Sequence, residues 1–368
     1  MYLKRLKLKN YRLFLDVDIL FQYKMNVLIG KNSSGKSTIL EAINFLLSNN
    51  DANVTAEEII PYNKREQNTK VHIEGFFEMS DIEKENICAI LDNADDRNLI
   101  RDSHLEIIYS KIINKTSKGI KVTPNLQTNG NGISQNTILI SHIVNSLLPK
   151  LQLNNLLRIT DIEDKDNTLS LLPFNQLLQK LPYQTSYLNQ YLRSVLYDMK
   201  QGDVSEFNNI KNEIIKAYPD ISDMDIEFDP KRAQIQVYFK VSGSNIKIPL
   251  ESEGSGIREF FYLLLTLRNF PDTIILKDEA LTHLHKALLS DFVTAIDGLQ
   301  YQMITTSHIG ELIRTLDFSN IIICRKHNNI ATVKNLTQLN EIDTLLDELG
   351  YPIEAVPEID MLIKELKS

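Results

Sequence analysis

The residues Gly30-Lys31-Asn32-Ser33-Ser34-Gly35-Lys36-Ser37-Thr38 bring two lysines and four hydroxyls together around two glycines. Their spacing, G-x-x-x-x-G-K-[ST], is that of a phosphate-binding loop. Glycines let such a backbone turn tightly and bring its amides close to an anion. Lys36 reaches β- and γ-phosphates, and the Ser37 hydroxyl is offered to Mg²⁺. The motif requires a strand before it and a helix after it. Met25 to Ile29 is an apolar run that predicts a buried strand, and Ile39, Leu40, Ile43, Leu46 and Leu47 predict a helix over 38–47. Strand, loop and helix in that order aim free N–H groups and a positive helix end at phosphate. The expected ligand is ATP or GTP.

Two further strand ends carry chemistry. Thr273-Ile-Ile-Leu276-Lys277-Asp278-Glu279 is an apolar strand ending in two carboxylates. Asp278 is suited to hold Mg²⁺, directly or through water, and Glu279 to orient and deprotonate an attacking water. Taken alone, the pair reads better as a cap on the following helix. Ile304-Thr-Thr-Ser307-His308 is another apolar strand with a polar tip, where a histidine can meet a γ-phosphate or the lytic water. Alone, His308 is a strand-end residue without chemistry. Three such tips in this order favour the joint reading, because parallel sheets gather strand ends at one edge. Between them, Leu250-Glu251-Ser252-Glu253-Gly254-Ser255-Gly256-Ile257-Arg258 opens an apolar helix from Phe260 to Leu267. Small residues at a helix start make a second anion site or a flexible linker.

The elements that must position these residues follow from periodicity. Residues 1 to about 30 read as short strands, with Leu6 and Leu8 alternating with Arg5, Lys7 and Lys9. Val71 to Glu78 and Leu105 to Tyr109 also read as strands, and Asn125 to Asn136 as a mobile loop. From about Leu139 to Pro219 the pattern is helical, with Phe207, Ile210, Ile214 and Tyr218 at helical spacing. Strands return at Ile226 to Phe228 and Ala233 to Val241. Strand and helix then alternate to about Val333, as in a parallel α/β sheet. The tail from Ile342 to Leu366 reads as acidic amphipathic helices. An Asp-x-Asp occurs at Asp223-Met-Asp225, and it lacks a supporting motif.

The motif set resembles the ABC-type ATPases of the RecF, SMC and OLD group, including ATPase subunits of anti-phage systems such as PARIS or Septu. Their opening K-N-[FY]-R-x-F element is matched by Lys9-Asn10-Tyr11-Arg12-Leu13-Phe14, and their G-x-N-x-x-G-K-S loop by Gly30 to Ser37. Their L-S-x-G signature is matched by Ser252 and Gly254, with Leu250 displaced by one. Their D-E-P-E-x-x-L-H-P region is matched by Asp278-Glu279 and Leu284-His285, while its prolines and second glutamate are absent here. Lys277 is also an unusual neighbour for a metal-binding aspartate. The resemblance covers about 1–50 and 245–330. It implies an α/β fold: an ABC-type ATPase head with a mixed/parallel sheet, an N-terminal β-subdomain and a helical insertion. The halves of the head are expected at 1–138 and 223–335, the insertion at 139–222 and terminal helices at 336–368. It also implies ATP and Mg²⁺ as cofactors, bound by Arg12, residues 30–38, Asp278, Ser252, Gly254 and Gly256, with Glu279 and His308 catalytic.

In such proteins two heads sandwich two nucleotides, which implies a homodimer or higher homo-oligomer. Ser252 and Gly254 make little sense as a second phosphate site within one protomer. The expected function is a switch controlling a separate effector in anti-phage defence, that effector being a nuclease of Toprim or HNH type. A RecF/SMC-like DNA clamp is the alternative, with DNA as partner. A transporter subunit is disfavoured, since Lys36 and Ser252 are roughly twice as far apart as that resemblance implies. About sixty residues follow His308, too few for an appended nuclease domain, so none is expected.

Composition sets the remaining bounds. At 368 residues with net charge −8, the chain is no basic nucleic-acid coat. Lys4, Arg5, Lys7, Lys9 and Arg12 still crowd the N-terminus, as a polyanion patch or as the protected face of an edge strand. Two distant cysteines, Cys88 and Cys324, imply neither a disulfide framework nor a zinc site. Without an apolar leader or a ~20-residue apolar window, a cytoplasmic protein with no membrane partner is expected.

Overall fold

Apolar residues alternate with charged ones along the N-terminus, and each such run folds as a strand. The computed structural model describes residues 2–47, 55–61, 69–90, 94–101, 106–116, 119–128, 157–158, 188–230, 234–244, 246–270, 274–281, 284, 286–307 and 318–336. β1 (Tyr2–Tyr11), β2 (Phe14–Leu20) and β3 (Lys24–Ile29) lead into α1 (Lys36–Leu47) and the short α2 (Ala56–Ile59). β4 (Lys70–Glu78), α3 (Asp81–Ile90), α4 (Ala94–Arg101), β5 (Glu106–Thr116) and β6 (Gly119–Thr128) follow. Then come β7 (Leu157–Arg158), α5 (Leu188–Gly202), α6 (Val204–Ala217), β8 (Ile221–Asp229), β9 (Gln234–Val241), β10 (Lys247–Pro249) and α7 (Ser255–Asn269). β11 (Ile274–Lys277), α8 (Lys286–Ile296), β12 (Gln302–Ser307), β13 (Ile321–His327) and β14 (Ile330–Asn335) complete the series. The chain divides into two compact units. One comprises Met1–Leu156, Asp272–Ala280 and Tyr301–Ser368, the other Leu157–Pro271 and Leu281–Gln300.

In the first unit, an antiparallel sheet runs β2-β1-β4-β5-β6. Leu3, Leu6 and Leu8 of β1 are fully buried, and a register shift between Leu3 and Arg5 accommodates the break in alternation. β1 is therefore paired on both sides, and the edge-strand reading of its basic residues is corrected. β4 supplies the second partner from far along the sequence, pairing Tyr2 with Glu78 and Lys9 with His72, which local alternation cannot reveal. Three of the five cations are matched by carboxylates: Lys4 by Glu78 and Glu106, Arg5 by Asp18, and Arg12 by Glu41. Lys7 lies 4.9 Å over the Phe76 ring. β6 extends through Thr128, so residues 125–128 are strand where a loop was expected; β5 templates them, with Ser110 opposite Asn125. Pro124 is tolerated because β6 is an edge strand. Residues 129–136 lie outside the described residues.

The second sheet of this unit has strands in the order β14-β13-β3-β12-β11. β11, β12, β3 and β13 are mutually parallel, and β14 returns antiparallel. Central parallel strands are covered on both faces, which is why β3 and β12 are buried almost end to end. α1 packs Ile39, Ile43 and Leu46 into the core with Leu28, Leu276 and Ile304. Both cysteines are free and buried.

In the second unit, β10-β9-β8 form an antiparallel sheet beside α5, α6 and α7. Asp203 caps α6 by accepting the Glu206 N–H at 3.1 Å. α7 is buried at Ile257 and throughout residues 259–267, so it is a core helix. Arg268 at its end pairs with Glu206 and Glu213 of α6. Asp223 and Asp225 pair with Lys211 and Lys200, in keeping with a structural role. Leu157–Arg158 is strand within the stretch read as helical, whereas residues 188–217 are helical apart from the Asp203 cap. Residues 139–156 and 159–187, and the expected tail helices, lie outside the described residues.

Candidate functional site

Local chemistry shapes the loop between β3 and α1. Gly30 approaches the backbone of β13 so closely that a Cβ would lie 2.1 Å from the Cys324 carbonyl oxygen. Ser33 and Gly35 adopt φ of +62° and +102°, turning the chain into α1. The first helical bond runs from the Ile39 N–H to the Gly35 carbonyl, leaving the amides of Lys36, Ser37 and Thr38 ahead of the ladder. Lys36 is 6% exposed, and its Nζ donates to the carbonyls of Gly30 at 2.8 Å and Lys31 at 3.0 Å. Burial lowers its pKa, opposed by Cys324, Asp278 and Glu279. Burial also pushes the Cys324 thiol up to about 12, so at neutral pH the two carboxylates are the charges that act on Lys36. Lys31, Asn32, Ser33 and Ser37 are exposed, and Thr38 is half-buried. Ser34 Oγ is buried and has no hydrogen-bond partner among the described residues. A buried hydroxyl, leading amides and an ammonium directed along one loop fit a polyphosphate.

The second strand tip stands two strands away. β11 pairs with β12, setting Lys277 opposite Thr305, and β12 pairs with β3, setting Thr306 opposite Leu28. Three parallel strands therefore end on the same side, which brings the Asp278–Glu279 turn into the electrostatic range of Lys36. Asp278 is half-buried and Glu279 exposed. Glu279 has φ +51°, a left-handed conformation uncommon outside glycine. Two threonines missed by the motif reading hold it. Thr306 Oγ1 donates to Asp278 Oδ1 and accepts the Glu279 N–H at 2.8 Å. Thr305 Oγ1 accepts the Ala280 N–H at 3.2 Å. Both threonines are 0% exposed. The signal available was a pair of hydroxyls inside an otherwise apolar buried strand, since buried polar groups need partners. Mg²⁺ commonly takes only one or two protein carboxylates beside phosphate and water, and Asp278 with Ser37 fits that donor set.

Other expected residues have different surroundings. Arg12, with φ +49°, donates from Nε to the Glu58 carbonyl at 2.8 Å and pairs with Glu41 of α1. Lys277 is 7% exposed. His308, Thr282, His283 and His285 lie outside the described residues. In the second unit, Leu250–Ser252 forms one 3-10 turn, and Gly254 caps α7 without a side-chain hydrogen bond. Ser252 and Gly254 are exposed, and Gly256 is half-buried. Glu251 pairs at 2.6 Å with Arg193 of α5, whose Nε also donates to the Tyr262 hydroxyl at 2.8 Å. Glu259, buried on α7, accepts the Leu281 N–H at 3.0 Å.

Residues 1–313 match the model of the AAA ATPase domain family. The chain is similar to an ATP/GTP phosphatase of Helicobacter pylori, with 23% identity over 331 residues, covering 86% of this chain and 87% of that protein. It is also similar to the DNA replication and repair protein RecF of Ligilactobacillus salivarius, 51% identical over 43 residues, 12% of this chain and 11% of that protein. RecF of Clostridium kluyveri is 35% identical over 74 residues, 20% of each chain. The matches thus span a fifth or less of these RecF proteins. Among solved structures, the Smc head bound to the C-winged helix domain of ScpA aligns with a TM-score of 0.57 at 16% identity, over 93% of this chain and 100% of that one. An Smc head with an extended coiled coil, bound to the C-terminal domain of ScpA derived from Pyrococcus furiosus, aligns with a TM-score of 0.54 at 15% identity, over 95% and 99%.

Proposed function

The chain belongs to the AAA ATPase domain family and has the α/β fold of an SMC head, and from that footing we propose a Mg²⁺-dependent ATPase that switches by dimerising. One observation carries the reading: Lys36, opening α1 after the loop that leaves β3, lies in electrostatic reach of Asp278 and Glu279, which follow β11, and β3 and β11 run parallel on either side of β12. The H. pylori relative, described as an ATP/GTP phosphatase, supports the same chemistry.

Lys36 and the leading amides of α1 hold the β- and γ-phosphates, and Ser34 finds its partner there. Ser37 and Asp278 hold Mg²⁺, which neutralises phosphate charge. Glu279 orients the attacking water and takes its proton, and His308 meets the γ-phosphate side. Arg12 contributes to the nucleotide after exchanging Glu41 for phosphate. Ser252, Gly254 and Gly256 supply a second anion-binding edge to a nucleotide held by another copy. ATP thereby closes a homodimer and hydrolysis releases it, altering a surface read by a separate effector in anti-phage defence. A clamp that acts on DNA in the RecF manner is the second reading, favoured by the similarity to RecF.

Glu279→Gln tests the core of the proposal. It should retain ATP and Mg²⁺ binding while hydrolysis falls by about 10²–10⁴-fold, the range for loss of a general base. Parent-rate hydrolysis in that variant would reject Glu279 as the base. Nucleic-acid cleavage by the purified chain with ATP and Mg²⁺ alone would reject a separate effector, and strong stimulation of hydrolysis by DNA would favour the clamp.

A further inference from the structure

We propose that Thr306 is a positioning residue for hydrolysis, setting the Asp278 carboxylate and the Glu279 backbone through a single hydroxyl. The inference rests on the ATPase reading above.

A threonine hydroxyl has one proton and two lone pairs. Here the proton is directed to Asp278 Oδ1, and a lone pair receives the Glu279 N–H at 2.8 Å. Asp278 is thereby required to act as an acceptor, and holding one of its oxygens fixes the rotation of the carboxylate. The same oxygen of Thr306 anchors the backbone of Glu279 in its left-handed conformation. A non-glycine residue stays there only when its surroundings over-determine it. Thr305 adds a second anchor at the next amide, Ala280, and its own hydroxyl donates to the Thr306 carbonyl at 3.2 Å.

Rigidity comes from the strand that carries these hydroxyls. β12 lies between β3 and β11, and all six of its residues are buried. The phosphate loop leaves the end of β3, so β12 fixes the acid turn in a common frame with that loop. Catalytic groups held in this way lose activity when their supporting shell loosens, even when that shell touches no reactant. A merely structural threonine would satisfy buried amides and change stability alone. A positioning threonine changes turnover and metal dependence.

The test compares Thr306→Val, which keeps shape but removes donor and acceptor, with Thr306→Ser, which keeps the hydroxyl. ATP hydrolysis is measured across Mg²⁺ concentrations, with folding checked by circular dichroism. For Thr306→Val we expect kcat to fall about ten- to a hundred-fold, KM for ATP to move less than about threefold, and the half-saturating Mg²⁺ concentration to rise. Thr306→Ser should return kcat to within about threefold of the parent. Parent-like kcat and Mg²⁺ dependence in folded Thr306→Val would overturn the proposal. So would a folded Thr306→Ser variant losing kcat more than tenfold, a result that holds even if Thr306→Val does not fold. Absence of Lys36-dependent hydrolysis in the parent protein would instead remove the ATPase reading, and this inference with it.

Discussion

Gly30 and Lys36 act on one another across the loop. Gly30 presses against the Cys324 backbone and turns its carbonyl toward Lys36 Nζ, so the ammonium is received by protein oxygens inside a buried setting. Burial lowers the pKa of Lys36, and Asp278 and Glu279 pull it back. Lys36→Ala removes the cation while leaving the glycine geometry intact. Its loss should weaken ATP binding by roughly 1.5–3 kcal/mol, one to two decades, as expected for a hydrogen bond to a charged group. Calorimetric titration with ATP checks this, and unchanged affinity would end the phosphate-loop assignment. Gly30, Lys36, Asp278 and Glu279 were legible because each belongs to a motif whose spacing is set within a single turn. Thr305 and Thr306 were not legible as partners of that acid turn. Their role depends on β11 lying beside β12, a contact between segments that the sequence separates.

Elements in the first unit are joined by side-chain amides as well as by strand pairing. Gln302, at the start of β12 and 1% exposed, accepts the Leu3 N–H at 2.7 Å and donates to the carbonyls of Leu3 at 2.8 Å and Gln22 at 3.1 Å. Asn335 at the end of β14 does the same for Leu20 of β2, accepting at 3.2 Å and donating at 2.7 Å. Each amide bonds both backbone groups of one residue in the antiparallel sheet, tying that sheet to a strand of the other. Gln302→Leu keeps the volume but leaves an N–H and carbonyls without their side-chain partner. Unsatisfied buried groups cost about 1–3 kcal/mol each, so a loss of about 3 kcal/mol is expected in urea unfolding. A change below about 1 kcal/mol would mean that water or backbone movement replaces the amide. Strand and helix identities over residues 2–47, 70–78, 255–270, 274–277 and 286–307 were readable from periodicity, as was the parallel arrangement. Pairing partners were not: β1 looked like an edge until β4 closed its second side, and residues 125–128 looked like a loop until β5 drew them into the sheet.

At the scale of the whole molecule, the proposed nucleotide machinery is divided. The phosphate loop and acid turn belong to one compact unit, while Ser252 and Gly254 belong to the other. Gly254 caps α7 without a side-chain bond, and Ser252 and Gly254 are exposed. The start of a fifteen-residue helix therefore presents amides and a small hydroxyl that α7 itself does not use. Arg193, through Glu251, braces the 3-10 turn just before them from α5. Such an edge suits a phosphate that another copy holds on its own Lys36. Closure would then need both halves of each site, and damage to the edge should spare ATP binding by the single chain. Ser252→Arg replaces the small hydroxyl with bulk and charge. In the Glu279→Gln background, where hydrolysis cannot reopen the pair, ATP should double the mass seen by light scattering. Adding Ser252→Arg should hold the mass at that of one chain up to protein concentrations about tenfold higher, the shift expected for a loss of about 1.4 kcal/mol. ATP affinity measured by calorimetry should stay within about threefold of the parent, since Ser252 is exposed and an exposed substitution that leaves the Lys36 loop itself unchanged costs little. Doubling of mass with ATP at the parent's concentration would show that closure does not run through Ser252.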